Sequence, residues 1–413
     1  MSATPDPQLG PTPQHTPDLQ YSEVEQELRV SVRALLAARA PQSATLARTE
    51  TEQPVDTGLW QALGAELGVT GLAVPEKSGG AGASWRETAV VLEELGRAVA
   101  PVPYLGSAVL ATAALLAVDE AELLPGLAAG RQVAALAVPF ATALLPSGPH
   151  PTDPGDAAFP ASVRADAGGL LHGTVRLVAD ARTADAFVVP ARGADGTPAL
   201  YAVEGQAAAG VVVGPVVSLD MTRALADLSF DGAAGRLLAE GDDAVRAVRT
   251  ALTTGAALLA SEQLGVAEWA LETTTAYVKE RHQFGRPVGS FQAVKHRLAD
   301  LWVSVAQLRA VARNAADALA TGSADAPVAA ALAQAFASPV AVAATEEAVQ
   351  LHGGIGFTWE HPAHLYLKRA KSASIALGTA DRHRAILAAL VDLPSPLPLS
   401  ALPLSPHSEE HHG

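Results

Sequence analysis

Apolar residues recur at helical spacing over long stretches of the chain. One such stretch contains Phe291, Val294, Leu298, Leu301, Val305 and Leu308, which are three or four positions apart. This spacing places the side chains on one face of an α-helix, where they can pack against a partner helix. A similar stripe begins after Tyr21 and ends at Pro41, which predicts a first amphipathic helix there.

The last third of the chain repeats this pattern. The predicted helices end at Arg281, run from Phe291 to about Leu319 and from about Ala326 to Leu351, and then cover roughly His361 to Lys371 and Thr379 to Val391. Pro339 predicts an interruption or kink in the third of them, because proline lacks a backbone N–H group and clashes with the preceding turn. The pattern predicts a helical bundle.

The middle of the chain lacks this helical periodicity and has a different residue pattern. Short valine-rich segments bounded by Gly, Pro and Asp predict strands at Val133 to Val138, Leu170 to Val178, Ala186 to Pro190, Ala199 to Val203 and Val211 to Val217. We therefore expect a mostly α fold with a small β domain. The predicted regions are a disordered tail (1–20), an N-terminal helical domain (21–131), a middle β domain (132–238), a C-terminal helical bundle (239–393) and a Pro-rich tail (394–413).

Composition narrows the function classes. The chain has 413 residues, of which 49% are hydrophobic but only 4% aromatic, so Ala, Leu and Val must form the core, as is typical of long helices. A net charge of -15 disfavours nucleic acid and anionic membranes as bulk partners. Val102 to Val118 is short for a bilayer span and is expected to be a buried helix.

Cysteine usage and the termini add further expectations. The absence of cysteine excludes disulfides and thiolate chemistry, which fits a cytoplasmic location, and no secretory signal opens the chain. His407, His411 and His412 are in the Pro-rich tail, where no fixed geometry is expected, so we predict no metal site.

One polar corner separates two of the predicted helices. Gly285 and Pro287 end the first helix, and Arg281, Phe284 and Arg286 stand beside them. Guanidinium groups offer fixed pairs of donors, so this combination suits an anionic ligand that carries a ring system. The alternative is a helix C-cap with solvated charges.

The corner lies in a run that resembles the signature of the acyl-CoA dehydrogenase family. That run is YVKERHQFGRPVGSFQAVKHRLAD, and QLHGGIGFTWEHPAHLYLKRAK, from Gln350 to Lys371, resembles the same family's glycine turn. VPEKSGGAG at Val74 to Gly82 and LDMTR at Leu219 to Arg223 are further likenesses. The resemblance implies an N-terminal helical domain, a middle β-barrel and a C-terminal four-helix bundle, assembled as a homo- or heterotetramer that holds FAD at subunit interfaces.

The resemblance also implies an activity, which is the α,β-dehydrogenation of an acyl-CoA thioester with transfer of electrons to a flavoprotein acceptor. By position, the FAD-contacting residues would be Arg281, Phe284, Gln292, Gln350, Gly353, Gly354, Thr379 and Asp381. The glycines are also explained by a plain C-cap. Asp381 replaces the glutamine that is usual in the family.

The usual catalytic glutamate is missing. Leu377 stands directly before Gly378 and Thr379, where the family carries its base, and Gly255 occupies the alternative base position. Glu262, seven residues further along the same helix, is the candidate base, although a carboxylate paired within the bundle is the structural alternative. Glu360 is a second candidate, with a helix-start role as its alternative.

The middle region departs from the family as well. Leu177, Val178 and Ala179 stand where the family often has Trp-Ile-Thr against the flavin. Three hypotheses follow: a dehydrogenase with an atypical carboxylate, a non-catalytic subunit that completes the FAD site of an active paralogue, and a helical scaffold that has lost FAD.

Overall fold

The computed structural model describes residues 16–143, 159–205 and 208–391. Residues 1–15 of the first predicted tail and the whole of the second, with its three histidines, lie outside these ranges. Helices come first in the described chain, strands follow, and helices complete it. This order confirms the predicted fold class.

The N-terminal part is built from short helices. They are α1 (Glu23–Arg39), α2 (Gln42–Thr49), α3 (Thr57–Ala65), α4 (Trp85–Ala98), α5 (Thr112–Leu116) and α6 (Leu124–Ala128), with a π-helical segment over Tyr104–Ala111. α4 begins with a capping box, in which the Ser84 backbone N–H donates to the Glu87 carboxylate at 2.9 Å. The segment Tyr104–Ala111 is buried throughout, as expected for the apolar stretch that contains it.

The described residues of the middle part form one eight-stranded sheet. Its strands are β1 (Ala134–Leu136), β2 (Val163–Ala165), β3 (Leu170–Ala179), β4 (Ala186–Arg192), β5 (Pro198–Glu204), β6 (Val211–Val216), β7 (Leu225–Ala234) and β8 (Arg236–Glu240). The order is β6-β7-β3-β2-β4-β5-β8, and β1 pairs with β4 in parallel. The β3–β7 register shifts between Val175 and Val178, so β3 carries a bulge at Leu177.

The C-terminal part is dominated by three long helices. The elements are α7 (Gly241–Glu280), a hairpin of β9 (His282–Gln283) and β10 (Arg286–Pro287), then α8 (Gln292–Ala320), α9 (Ala326–His352), α10 (Ala363–Ala373) and α11 (Ala380–Leu390). Of the two outcomes predicted at Pro339, the interruption is wrong, because α9 continues through it, and the kink stays a prediction. Packing of the Ala-rich α9 against α7 and α8 holds the helix together despite the missing N–H group.

α9 also has the length and apolarity of a membrane span. With the turn that follows, it covers Ala326–Phe357, and its most apolar window of 18 residues has a mean hydropathy of 1.6. However, 67% of its most apolar window is buried inside the protein. In the described chain this helix is therefore a core element of the bundle.

The N-terminal helices and the bundle meet at a very close helix contact. A Cβ atom added to Gly96 of α4 would lie 2.1 Å from the Glu262 carbonyl oxygen, and one added to Gly265 of α7 would lie 1.9 Å from that of Glu93. Only glycine allows the two backbones to approach this closely. The contact fixes the middle of α7, which carries Glu262, against α4.

Candidate cofactor and substrate site

The polar corner is a tight hairpin at the end of α7. Arg281 caps the helix, since its backbone N–H donates to the Tyr277 carbonyl at 2.8 Å. Phe284 and Gly285 form the two-residue turn with φ values of 53° and 75°, as required for a type I′ connection. The conformation is unfavourable for phenylalanine, and it leaves the Phe284 ring 91% exposed.

The side chains of the corner are arranged around Phe291. The Arg286 guanidinium lies 3.8 Å from the centre of the Phe291 ring, and Phe284 meets the same ring edge to face at 6.3 Å. Arg281 and Gln292 are exposed, and the Arg281 guanidinium makes no hydrogen bond or ion pair with any described residue. The corner therefore offers a free charged donor beside aromatic rings.

The predicted glycine turn follows α9. The Gly353 backbone N–H donates to the Gln350 carbonyl, and Gly353 has a φ of 63°. A Cβ atom added to Gly353 or Gly354 would meet nothing within 4 Å, so neither glycine is required by close packing. Bare backbone at a helix end can instead approach a phosphate closely.

Corner and turn lie at the same end of the bundle. The Tyr277 ring, one turn before the corner, stacks on the His352 ring, directly before the turn, with centroids 4.4 Å apart. We call Arg281, Phe284, Gln292, Gln350, Gly353 and Gly354 the grip surface; all six are exposed. A guanidinium, an amide-bearing turn and an uncovered ring together fit the phosphates and rings of a dinucleotide.

Thr379 and Asp381 lie elsewhere. The Thr379 hydroxyl caps α11 by accepting from the Arg382 backbone N–H at 3.3 Å, and Asp381 pairs with Arg384 at 2.5 Å. Just before them, the Leu377 side chain lies 3.0 Å from a Cβ atom added to Gly255 of α7. Gly255 precedes Arg281 by 26 residues, about 39 Å of helix at the usual rise. Within one chain, the two regions are therefore separated by more than half the length of α7.

The two positions at which the resemblance places a base, 377 and 255, therefore lie side by side. Leu377 is buried and has a φ of 54°, and the neighbouring Gly378 has a φ of 107°. A side chain at position 255 would collide with Leu110, whose Cδ2 lies 2.4 Å from the added Cβ atom. Leucine side chains occupy this point, and they cannot accept a proton.

Phe140 connects this point to the sheet. Its backbone N–H donates to the Leu177 carbonyl at 2.9 Å, and its own carbonyl accepts from the Leu377 N–H at 2.8 Å. The bulged end of β3 is thus held close to Leu377. The resemblance places a flavin-facing Trp-Ile-Thr at this end of β3, where the chain has Leu177, Val178 and Ala179.

Glu262 is held in a buried ion-pair cluster. It pairs with Arg223, and it accepts from Arg369 Nη1 at 3.1 Å. Arg369 Nε also lies 3.0 Å from Asp220 Oδ2, and its Nη2 donates to the Thr222 carbonyl at 2.8 Å. Since a base would have to leave both arginines, this geometry favours the structural interpretation of Glu262 over the catalytic one. Glu360, the other candidate, is exposed.

Asp180 completes the cluster from the sheet side. Its Oδ2 accepts from the Gly106 backbone N–H at 2.9 Å, and the side chain is buried. Burial raises the pKa of Asp180 to about 6, against the opposing effect of Arg223. Arg223 and Arg369 oppose this effect by lowering the pKa of Asp180, the Glu262 carboxylate raises it, and burial has the largest effect.

We predict that Asp180 makes folding stability depend on pH. Because its pKa is higher in the folded chain than in the unfolded one, stability is greatest at low pH and is lost as pH rises through about 6. The loss between pH 5 and pH 8 should be about 1.4 kcal/mol. Urea unfolding of wild type and Asp180→Asn across this range measures it, and the variant should be flatter by that amount.

Asp185→Asn is the matched control for this experiment. Asp185 also accepts from a backbone N–H group, that of Val133 at 2.8 Å, but its residue is exposed to water. The control should therefore keep the wild-type pH profile. Identical profiles for the wild type and Asp180→Asn would show that Asp180 does not titrate as described.

Several residues around Leu377 and Glu262 were not predicted from the sequence. His383 lies beside Leu377, Phe140 bridges sheet and bundle, and Asp180 joins the ion-pair cluster. Arg369 had a usable signal, because it lies within the recognised glycine-turn motif and a buried glutamate needs a cation. Asp180 and Phe140 had none, since their contacts depend on the bulge and loops of the sheet.

Comparisons with known proteins identify the family. Residues 22–131 match the family described as "Acyl-CoA dehydrogenase, N-terminal domain", and residues 244–391 match "Acyl-CoA dehydrogenase, C-terminal domain". The acyl-CoA dehydrogenase IpdE2 of Mycolicibacterium smegmatis is 39% identical over 86% of this chain and 95% of its own length. The chain belongs to the acyl-CoA dehydrogenase family.

Solved structures agree with this assignment. The ChsE4–ChsE5 complex from Mycobacterium tuberculosis matches at a TM-score of 0.78 and 31% identity, covering 92% of this chain and 100% of the matched one. The Tcur3481–Tcur3483 steroid ACAD G363A variant matches at a TM-score of 0.76 and 32% identity, covering 90% of this chain and 98% of the matched one. This chain is thus an oxidoreductase of the acyl-CoA dehydrogenase type, in a family that uses FAD. The predicted class, cofactor and fold are confirmed.

Proposed function

We propose that this chain works as one half of an FAD-dependent acyl-CoA dehydrogenase, in a complex with a related subunit that carries the catalytic carboxylate. The chain supplies its grip surface to the FAD held mainly by that subunit. The reaction is the α,β-dehydrogenation of an acyl-CoA thioester. The competing hypothesis is catalysis by this chain alone with Glu262 as base, which requires the buried ion pairs of Glu262 to break.

The observation that carries the proposal is the separation of the two regions. The grip surface is exposed and keeps the residue types that the family uses, about 39 Å along α7 from Gly255. The region around Gly255 of α7 has leucine at position 377 and no room for a side chain at position 255. The chain can therefore serve a site in another subunit while its own pocket lacks the base.

The chemistry divides accordingly between the two subunits. When bound, FAD supplies the acceptor for the hydride from the β-carbon of the thioester. In this chain, the Arg281 guanidinium and the amides of the Gly353 turn would hold the dinucleotide phosphates, and Phe284 would cover a ring. The α-proton goes to the carboxylate of the related subunit, because leucine at position 377 cannot take it.

Relatives support a two-subunit arrangement. One matched structure is a complex of ChsE4 with ChsE5, and another has two components, Tcur3481 and Tcur3483, and is described as a steroid ACAD. We extend this pairing to the present chain as a proposal, together with an electron-accepting flavoprotein as its redox partner. The cytoplasmic location stays a prediction.

Reconstitution tests the proposal. The chain is purified alone and after co-expression with a homologue that has the usual glutamate before Gly-Thr. We expect no flavin absorption and no turnover for the chain alone, and both for the co-purified complex. Visible spectra and acyl-CoA oxidation with an artificial electron acceptor measure the two properties.

The control identifies which subunit supplies the base. Replacing the homologue's glutamate with glutamine should abolish turnover and leave the flavin spectrum in place. Turnover by the chain alone that is lost in Glu262→Gln would instead establish catalysis by this chain with Glu262 as base. Protein without flavin in every pairing would show that the chain is a scaffold and would refute the proposal.

A further inference from the structure

Three aromatic rings lie together next to the glycine turn. Tyr277 of α7 stacks on His352 at the end of α9, with ring centroids 4.4 Å apart, and the His361 ring lies 4.5 Å from the His352 ring. His352 is only 3% exposed, and His361 is half-buried. We call these three residues the ring cluster. It joins α7, which ends at the corner, to α9, which ends at the glycine turn.

The glycine turn packs directly on His352. This residue precedes the turn, and Gly353–Phe357 forms a short 3₁₀ segment after it. A Cβ atom added to Gly356 would lie 2.6 Å from the Val349 carbonyl oxygen and 3.1 Å from the His352 Cβ atom. Because the His352 ring also stacks on Tyr277, the place of the turn relative to the corner depends on this ring contact.

Hydrogen bonds fix the neutral form of both histidines. His352 Nδ1 lies 2.6 Å from the Ala348 carbonyl oxygen, so Nδ1 carries the hydrogen. His361 Nδ1 accepts from the Ala363 backbone N–H at 3.3 Å, which leaves the hydrogen of its neutral ring on Nε2. Burial lowers the pKa of His352 against the effect of the Ala348 carbonyl, and burial, then His352 and His364, lower the pKa of His361. Both rings are therefore neutral at physiological pH.

The surroundings of the ring cluster offer no carboxylate partner to a protonated histidine. α10 contributes His364 and Lys368, and the pKa of His364 is itself lowered by burial and then by Lys368. α8 contributes Arg297, which pairs with Glu347 of α9 at 2.6 Å. α11 packs against the opposite half of α9. Among the described residues, no carboxylate forms an ion pair with either histidine of the cluster.

This arrangement can accommodate one proton but not two. The face of the Tyr277 ring attracts a single cation. Two imidazolium groups with centroids 4.5 Å apart would repel each other, since no carboxylate lies between them. The ring cluster is therefore stable only while at least one of its histidines is neutral.

We propose that His352 and His361 position the Gly353 turn beside the corner, and that acid releases FAD from the complex because protonation of both rings displaces the turn. The proposal rests on the two-subunit function given above and adds the regulation of its FAD site by pH. Release of FAD then takes up protons. Affinity is therefore full at high pH and falls as pH drops below the ordinary histidine range.

The pH dependence of FAD binding tests the proposal. The flavin-free complex is titrated with FAD at pH 8 and at pH 5.5, and binding is followed by flavin fluorescence. We expect an affinity about five- to tenfold lower at pH 5.5, because linkage allows about tenfold per pH unit for each proton taken up. The exposed His282 and His296 favour the opposite result, since their added charge in acid would attract phosphate. The direction of the change therefore distinguishes the two effects.

Variants of the two histidines separate the response to pH from a purely structural role. His352→Ala removes the ring and should weaken FAD binding at both pH values, whereas His352→Phe keeps a ring against Tyr277 and should restore most of the affinity lost at pH 8. Neither His352→Phe nor His361→Gln should lose affinity in acid. His282→Gln is the matched control, because it removes an exposed histidine outside the cluster, and it should keep the wild-type loss.

Two results of these titrations would overturn the proposal. One is an affinity of the wild-type complex that stays constant or rises in acid. The other is a loss in acid that survives in both His352→Phe and His361→Gln.

Histidine titration in the full-length chain tests the ring cluster without flavin. NMR of the chain labelled with carbon-13 and nitrogen-15 follows the rings of His352 and His361 and the amides of Gly353 and Gly354. Both rings should titrate with pKa values below the ordinary one for histidine, and the glycine amides should shift with them. Glycine amides that stay in place while the rings titrate would contradict the proposal. Absence of FAD binding at every pH would instead refute the two-subunit function, so the two failures are distinguishable.

Discussion

Changing Arg281 to glutamine is expected to lower the affinity of the assembled complex for FAD by about 10- to 100-fold. The exposed guanidinium has no hydrogen-bond or ion-pair partner among the described residues and lies at the same end of the bundle as the Gly353 turn. The variant would therefore remove the proposed charged hydrogen bonds to a phosphate, each worth about 1.5 to 3 kcal/mol. Titration of the flavin-free complex with FAD, followed by flavin fluorescence, measures the change.

Asp381→Asn is the control for this prediction. Asp381 is exposed and lies at the start of α11, near the pocket that lacks a base. If the chain serves an FAD in the related subunit, this variant should bind FAD as the wild type does. Loss of FAD in Asp381→Asn with full binding in Arg281→Gln would place the cofactor in this chain's own pocket and contradict the proposed division.

Changing Glu262 to glutamine is expected to destabilise the fold by about 3 to 5 kcal/mol. The variant leaves Arg223 and Arg369 buried with one fewer carboxylate between them. The main effect should be on the free energy of unfolding, measured with urea, and turnover per folded complex should stay close to wild type. A stable variant without turnover would instead identify Glu262 as the base.

An exposed ion pair provides the comparison. Glu272 lies on the same helix and pairs with Arg97, but its side chain is 56% exposed. Because water screens such a pair, Glu272→Gln should cost less than about 1 kcal/mol. Equal losses for the two variants would show that burial does not determine the importance of the Glu262 cluster.

Much of the architecture could be predicted from the chain itself. The stripe from Phe291 to Leu308 predicted α8, and the stripe between Tyr21 and Pro41 predicted α1, because both signals are local. Pro339 misled for the opposite reason. The interruption expected from its missing N–H group is overridden by packing against α7 and α8, which sequence periodicity does not report.

The candidate site was predictable in part. The residues of the grip surface are predicted from two short motifs, and the lack of a glutamate before Gly378 and Thr379 is visible in the sequence. The structural alternative for Glu262 was also predicted, but its partner Arg223 was not, since Arg223 comes from a loop of the sheet. His383 was missed because one buried histidine carries no pattern.

A structure of the reconstituted complex with FAD bound tests most directly which subunit holds the FAD phosphates and which supplies the base. We predict that Arg281 and the Gly353 turn of this chain contact the dinucleotide phosphates, and that the carboxylate nearest the flavin ring belongs to the related subunit. An FAD held beside Leu377 of this chain, or Glu262 facing the flavin, would contradict the account.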